Sequence, residues 1–376
     1  MAGIYLHIPF CRDACYYCDF HFTVSKANLQ IMIDAMVKEI LRRKDYIKDD
    51  EVHTIYFGGG TPSLIPVENI KILIQTIKRN FNISKDPEIT LEANPEDINP
   101  AYLREILITG INRLSIGIQS FFGKDLKFLN RTHSVIQAKK SIIDSRKAGF
   151  KNISIDLIYG FPGLTKNNWI KNIKTAIDFH VEHLSAYHMT YEPGTILNYR
   201  RNKKRIIEIE ENESLEQFAE LTLRMKSAGY LNYEISNFAL EGFYSRHNSG
   251  YWQQLPYLGI GPSAHSYNGT SRQWNIAKNM SYIKKVKKNG KYFEKEVLDL
   301  ETQYHDYILT SIRTMWGTDT EYIRDKFGLK YYNHYITNAG KFIDSGDLNQ
   351  NGNKYYLTDK GIYISDFIIK SLFVDR

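Results

Sequence analysis

Through the first two thirds of the chain, short apolar runs alternate with longer stretches in which apolar residues recur every three or four positions. The short runs Ile4–Ile8, Thr54–Phe57, Glu88–Glu92, Arg113–Ile118, Asn152–Ile158 and His183–Met189 read as strands. The stretches Leu29–Arg43, Val67–Asn80, Ser134–Ala148, Asn168–Phe179 and Ser214–Ala228 read as amphipathic helices. Strands separated by single helices pair in parallel, so the fold class is α/β. Six such units predict a parallel barrel, complete or partial, with ligands gathered at the C-terminal ends of its strands.

From about Leu300 the alternation stops. Residues 300–376 read as three helices, a short hairpin over Asn349–Leu357 and a final helix, which is the order of a winged helix. The expected division is a barrel over 1–235, a connecting segment over 236–299 and a mostly helical, winged-helix-like module over 300–376. Two roles stand for the tyrosines of that module: a packing surface that covers the open side of the barrel, or a wall facing a ligand. Its candidate recognition helix is not strongly basic.

Composition adds limits rather than chemistry. Hydrophobic residues make up 43% and charged residues 24%, as in an ordinary globular chain. No run approaches the ~18 apolar residues of a spanning helix. The N-terminus enters a strand without a signal peptide, so the expected location is the cytoplasm. A net charge of +7 comes from lysines scattered along the sequence, not from a phosphate-binding face, and no nucleic-acid partner is expected.

The chemistry is concentrated in one loop. The chain has three cysteines, Cys11, Cys15 and Cys18, all in YLHIPFCRDACYYCDF directly after the first strand. An odd number at a C-x3-C-x2-C spacing does not build a disulfide framework; it is metal-ligand spacing. A zinc site would draw its fourth ligand from His7 or His21. A four-iron cluster needs only the three thiolates and keeps one iron open, and the spacing and its surroundings favour it.

This loop resembles the signature of the radical S-adenosylmethionine (SAM) superfamily. With YLHIPF, GGGTP, LEANPED, IGIQSF, NRTH and SIDLIYGFP around it, the chain resembles the coproporphyrinogen dehydrogenase, or HemN-like, branch from Tyr5 to about Tyr267. The resemblance implies an open (β/α)6 barrel of the TIM type, a [4Fe-4S] cluster on Cys11, Cys15 and Cys18, and SAM on the open iron. By motif position, the cofactor-binding residues implied are Tyr5 beside the cluster, Tyr17, Gly59, Gly60, Thr61, Glu92, Gln119, Arg131, Asp156 and Thr190. The N–H groups of the glycine turn would meet the methionine end of SAM, and Glu92 and Asp156 would take its ribose or ammonium. Dehydrogenases of the branch bind a second SAM at positions matching Gly60, Thr61, Gln119, Arg131 and Asp156; one molecule is expected here.

Two departures separate this sequence from those dehydrogenases. Phe20 stands where they carry a fourth cysteine, and the first strand is reached by Ile4, without their N-terminal extension. In exchange, SRHNSGYWQQLPYLGIGPSAHSY contains His247-Asn248-Ser249-Gly250-Tyr251-Trp252, which fits the H-N-x-x-Y-W motif of the HemW group of haem chaperones. The resemblance implies haem ligation by His247 with Tyr251 and Trp252 as flat apolar faces, while His265 in GIGPSAHSY reads as structural or SAM-adjacent. The expected function is haem chaperoning: haem is bound and passed to an acceptor protein, with any peripheral membrane association running through that acceptor, and family analogy implies a homodimer. Oxygen-independent coproporphyrinogen III dehydrogenation is the alternative.

Overall fold

A computed structural model describes residues 1–47 and 50–374. Six parallel strands form its centre: β1 (Ala2–Ile8), β2 (Val52–Gly59), β3 (Ile83–Ala93), β4 (Arg113–Gln119), β5 (Ile153–Tyr159) and β6 (His183–His188), hydrogen-bonded in sequence order. Each expected strand and helix is present with ends moved by a few residues. The largest extension, β3 back to Ile83, adds a half-exposed, partly charged stretch that shows no apolar signal. Helix Val135–Ala148 follows a capping box made by Ser134 and Gln137, and helix Pro100–Thr109 is capped by Asn99.

Residues 236–299, expected as a connecting segment, are themselves part of the sheet. β7 (Leu231–Glu234) and β8 (Asn237–Ala239) extend the β6 edge antiparallel, while β9 (Tyr257–Ile260) joins β1 in parallel and leads to β10 (His265–Tyr267), β11 (Ser271–Asn275) and β12 (Phe293–Val297). The result is one twelve-stranded open sheet with β12 and β7 at its edges. Its β1 side is tied down by Glu39, a fully buried carboxylate on helix Leu29–Arg42. Glu39 accepts from the Gly261 N–H and Asn275 Nδ2, both at 2.8 Å, and from the Tyr282 hydroxyl, with the Arg43 guanidinium 3.5 Å away.

The C-terminal part has its own buried cluster, including Tyr304, Ile308, Ile323, Tyr335 and Ile368. Helices Leu300–Ser311, Thr320–Phe327 and Leu329–Asp344 precede a small sheet in which β15 (Lys354–Leu357) lies between β13 (Thr318–Asp319) and β14 (Leu348–Asn351). That is winged-helix order.

The central strands differ from an ordinary barrel in what faces inward. Parallel strands covered by helices are usually apolar on both faces, and barrel interiors are filled by Val, Ile and Leu. Here Ile4, Leu6, Ile8, Ile55, Phe57, Ile89, Leu91, Leu114, Ile116, Ile153, Ile155 and Leu184 are fully buried, and the positions between them are polar. Tyr5, His7, Thr54, Tyr56, Glu88, Thr90, Glu92, Arg113, Ser115, Ser154, Asp156, His183 and Ser185 alternate with the apolar set, and several are bonded in pairs: Tyr5 with His7, Tyr56 with Glu92, Ser115 with Asp156 and Ser154 with His183. The barrel has a polar lumen.

Candidate functional site

The cysteine loop leaves β1 at Ile8 and is pinned at both ends. Cys11 N–H donates to the Thr23 carbonyl at 2.9 Å, Tyr16 N–H to Leu129 O at 3.3 Å, and Asn130 Nδ2 to Ala14 O at 2.7 Å. All three thiols are free and partly buried. Burial pushes the Cys11 thiol up to about 11 and Cys18 up to about 12, so these sulfurs ionise readily only beside positive charge. Two sulfurs meet donors already: Thr61 Oγ1 lies 3.6 Å from Cys11 Sγ, and Arg131 Nη1 lies 3.3 Å from Cys15 Sγ. Tyr17 also hydrogen-bonds Cys15, and its hydroxyl is held protonated by burial.

The histidines of the zinc alternative are committed elsewhere. His7 Nε2 lies 2.8 Å from the His21 carbonyl and its Nδ1 3.2 Å from the Tyr5 hydroxyl, while His21 Nε2 is 2.7 Å from Asn279 Oδ1. Among the described residues no three His, Cys, Asp or Glu side chains converge on a single-ion site. Three thiols on one loop, two of them with donors at their sulfurs, suit a cluster, whose ligands spread over a four-iron cube.

The glycine turn does a different job from the one expected. Its N–H groups are taken: Gly59 by the Glu92 carboxylate, Gly60 by Ile8 O at 2.8 Å and Thr61 by Phe10 O at 2.7 Å. They close the turn onto the end of β1 instead of facing a ligand. A Cβ on Gly60 would stand 2.7 Å from Phe10 O and 2.8 Å from Ile8 O, so glycine is required by the approach of two backbones.

Glu92, Gln119, Arg131 and Asp156 converge around this mouth. Arg131 Nη2 donates to Asn94 Oδ1 at 2.6 Å and Gly117 O at 3.0 Å, which aims Nη1 at Cys15. Burial raises Glu92 to about 7, against the Tyr56 hydroxyl that donates to it at 2.8 Å, and raises Asp156 to about 6, against its bonds to Ser185 and Ser115. Gln119 is buried with φ at +64°, a left-handed conformation that a non-glycine residue adopts at a cost, at the point where β4 turns into the site. Thr190 is exposed on the loop after β6 and is not drawn into this group.

Tyr5 faces the lumen in a triangle of rings, its centroid 6.1 Å from Tyr56 and 6.3 Å from His247, which are 5.0 Å from each other, and it feels the Glu92 carboxylate of the mouth. The polar alternation in β2 to β6 could have located Thr54, Tyr56, Thr90, Arg113 and His183, which motif position missed.

His247 lies deeper still, on helix Arg246–Trp252 beneath β1 and β2. Glu88 anchors the start of that helix, accepting from the Arg246 and His247 N–H groups at 3.1 Å each. Both ring nitrogens are engaged, Nδ1 with Thr54 Oγ1 and Nε2 with the Tyr251 hydroxyl, each at 2.7 Å. The ring is 3% exposed, and burial drops its pKa to about 3. Tyr251 is packed edge-on against His247 and Tyr257 and is not a free face. Outside lies a cavity of about 260 Å³ lined by His247, Tyr251, Tyr257, Tyr244, Trp316 and Arg246, among others.

Sequence comparison decides the family. A match to the radical SAM superfamily covers residues 5–176. A protein of Bacillus subtilis named "Heme chaperone HemW" is 30% identical over 96% of each chain, and one of Lactococcus lactis with the same name is 29% identical over 99% of this chain and 97% of its own. The chain belongs to the HemW group of the radical SAM superfamily. Its fold matches that of coproporphyrinogen III oxidase (HemN) from Escherichia coli with a TM-score of 0.85 at 22% identity, over 99% of this chain and 89% of that one. A radical SAM protein carries a [4Fe-4S] cluster and SAM, and the cysteine loop of this HemW-group chain has the donor set for the cluster. No helix among the described residues is long and apolar enough to cross a membrane.

Proposed function

We propose that this chain is a haem chaperone of the HemW type, which binds haem at the His247 motif and hands it to an acceptor protein. The observation that carries the reading is the position of that motif: it forms the inner wall of an aromatic cavity beneath the barrel, apart from the cysteine loop at the mouth. Cys11, Cys15 and Cys18 would hold the cluster, and Tyr17, Gly59, Gly60, Thr61, Glu92, Gln119, Arg131 and Asp156 would surround one SAM molecule. When bound, the cluster supplies one-electron reduction of SAM. Phe20, 65% exposed at the position where the dehydrogenases have a fourth cysteine, supports this reading over porphyrinogen oxidation.

The environment of His247 sets terms for iron. Burial keeps the imidazole neutral, so its lone pair is not lost to a proton at physiological pH. In the tautomer that carries its proton on Nδ1, that proton is donated to Thr54 Oγ1 and the lone pair on Nε2 accepts from the Tyr251 hydroxyl. In that tautomer iron must displace the tyrosine hydroxyl, whose oxygen lies on the ring axis and moves away only with the whole Tyr251 side chain. Haem entry is a local opening of helix Arg246–Trp252, and the same opening allows release.

The test is anaerobic: offer haem to the cluster-loaded protein and follow the Soret band in wild type and His247→Ala. We expect weaker binding and a changed band with iron and sulfide content unaltered. An unchanged band and affinity would remove His247 from the reading. Conversion of coproporphyrinogen III to protoporphyrinogen IX in the presence of SAM and reductant would replace it with the dehydrogenase.

A further inference from the structure

Among the described residues, Arg113 is the one large cation inside the lumen that the mouth and the His247 motif leave unused. It opens β4, is 1% exposed, and among the described residues its guanidinium makes no hydrogen bond or ion pair; its Nε is a buried donor without a partner. Arg113 is in register with Thr90, Thr90 with Tyr56, and Tyr56 with Tyr5, so these four side chains form one course across β1 to β4. Thr90, fully buried, also has a hydroxyl without a partner. The other members of this course are neutral, and their hydroxyls are spent: Tyr5 on His7 and Tyr56 on Glu92.

A desolvated guanidinium that makes no ion pair is costly, even with the Glu92 and Asp156 carboxylates near enough to feel its charge, and buried charges in native folds are paired or hold a ligand. Its neighbours do not provide that pairing. Glu88 is occupied by two backbone N–H groups, and Glu92 and Asp156 belong to the mouth, bonded to Tyr56, Ser185 and Ser115. His183 is neutral, between Ser154 and Tyr233. Two adjacent unpartnered donors on an otherwise neutral course form a receptor for a single planar anion.

We propose that Arg113 and Thr90 bind a carboxylate within the barrel lumen, between the SAM mouth and the His247 motif. The guanidinium fork matches carboxylate geometry and the Thr90 hydroxyl donates to one of its oxygens. Two sources share this chemistry, a propionate side chain of a tetrapyrrole and a free small carboxylate. The tetrapyrrole source rests on the haem reading above; the site itself does not.

The experiment uses the full-length, cluster-loaded protein with three probes: haem, haem dimethyl ester and sodium propionate. If a tetrapyrrole propionate is the occupant, esterification weakens haem binding about tenfold or more in wild type, the range of a charged hydrogen bond. Arg113→Gln weakens haem equally and abolishes the difference between acid and ester, while Arg113→Lys falls between. If a free carboxylate is the occupant, propionate raises the wild-type melting temperature and leaves Arg113→Gln unmoved, whether or not haem binds. Iron content and far-UV circular dichroism report folding of the variants. Should Arg113→Gln not fold, the ester comparison and Arg113→Lys carry the test. Equal binding of haem and its ester in wild type, together with no effect of propionate, overturns the proposal.

Discussion

Replacing Gly60 with alanine tests how the cysteine loop is held. The added Cβ would stand 2.7 Å from Phe10 O, 2.8 Å from Ile8 O and 3.0 Å from Phe10 N, all backbone atoms that no rotamer change can move. The turn must back away from the end of β1, and two hydrogen bonds stretch with it, Gly60 N–H to Ile8 O and Thr61 N–H to Phe10 O. Overpacking costs about 1–3 kcal/mol and each lost hydrogen bond about 1 kcal/mol, and relief of one worsens the other, giving about 2–4 kcal/mol in total. With an unfolding entropy of about 2.1 cal/mol/K per residue, a chain of 376 residues should melt about 3–5 °C lower. Thr61 moves with the turn and its Oγ1 leaves Cys11 Sγ, so iron should be lost to a chelator about tenfold more readily, as when other outer contacts to metal ligands are removed. Gly340→Ala is the control: it lies inside helix Leu329–Asp344 with nothing within 4 Å of a new Cβ, and should stabilise by about 0.5–1 kcal/mol. Wild-type melting and iron retention in Gly60→Ala would refute the close-approach argument.

Cys15→Ala should abolish the broad absorption near roughly 400 nm of the reconstituted protein; one equivalent of zinc without iron in the wild type would refute the cluster. Glu92→Gln should separate stability from binding. Because burial raises the folded-state pKa of Glu92 to about 7, its favourable contribution is complete below its ordinary value and is lost as pH rises through 7. Denaturant unfolding of cluster-free Glu92→Gln should therefore show about 1–3 kcal/mol more stability than wild type at pH 8, with the gap closing toward pH 4.5, while SAM affinity of the loaded protein falls; a pH-independent difference would mean that the carboxylate is not desolvated. Glu39→Ala should cost about 3–5 kcal/mol by leaving Arg43, Asn275 and Tyr282 unpaired in a buried site. Hydrogen exchange should show β9 to β12 opening first, and uniform loosening of the sheet would contradict that tie.

How much of this could be read from the sequence depends on whether a residue's role is local. The βα alternation, the cysteine loop and the winged-helix order are legible because each is written in consecutive residues and their spacing. β9 to β12 are not: YLGI, HSY, SRQWN and FEKEV are three to five residues long, partly exposed, and become strands because β9 pairs with β1 across some 250 positions, Gly3 opposite Tyr257. The use of the glycine turn was misjudged for a related reason, since a Gly-Gly-Gly run is the same whether a ligand or another strand approaches it, and only the partners of its N–H groups tell the two apart. His247 shows the limit most clearly. Its motif names a candidate ligand, but Thr54, Tyr56, Glu88 and Tyr251 bury the ring, keep it neutral and occupy both nitrogens. The polar residues at every second position of β2 to β6 did carry the missing information, because a parallel strand under helices has no reason to be polar on its inner face unless that face meets a ligand or water. Arg113 is the sharpest member of that set: a buried cation that makes no ion pair among the described residues, at a strand position where helix-covered parallel strands are ordinarily apolar.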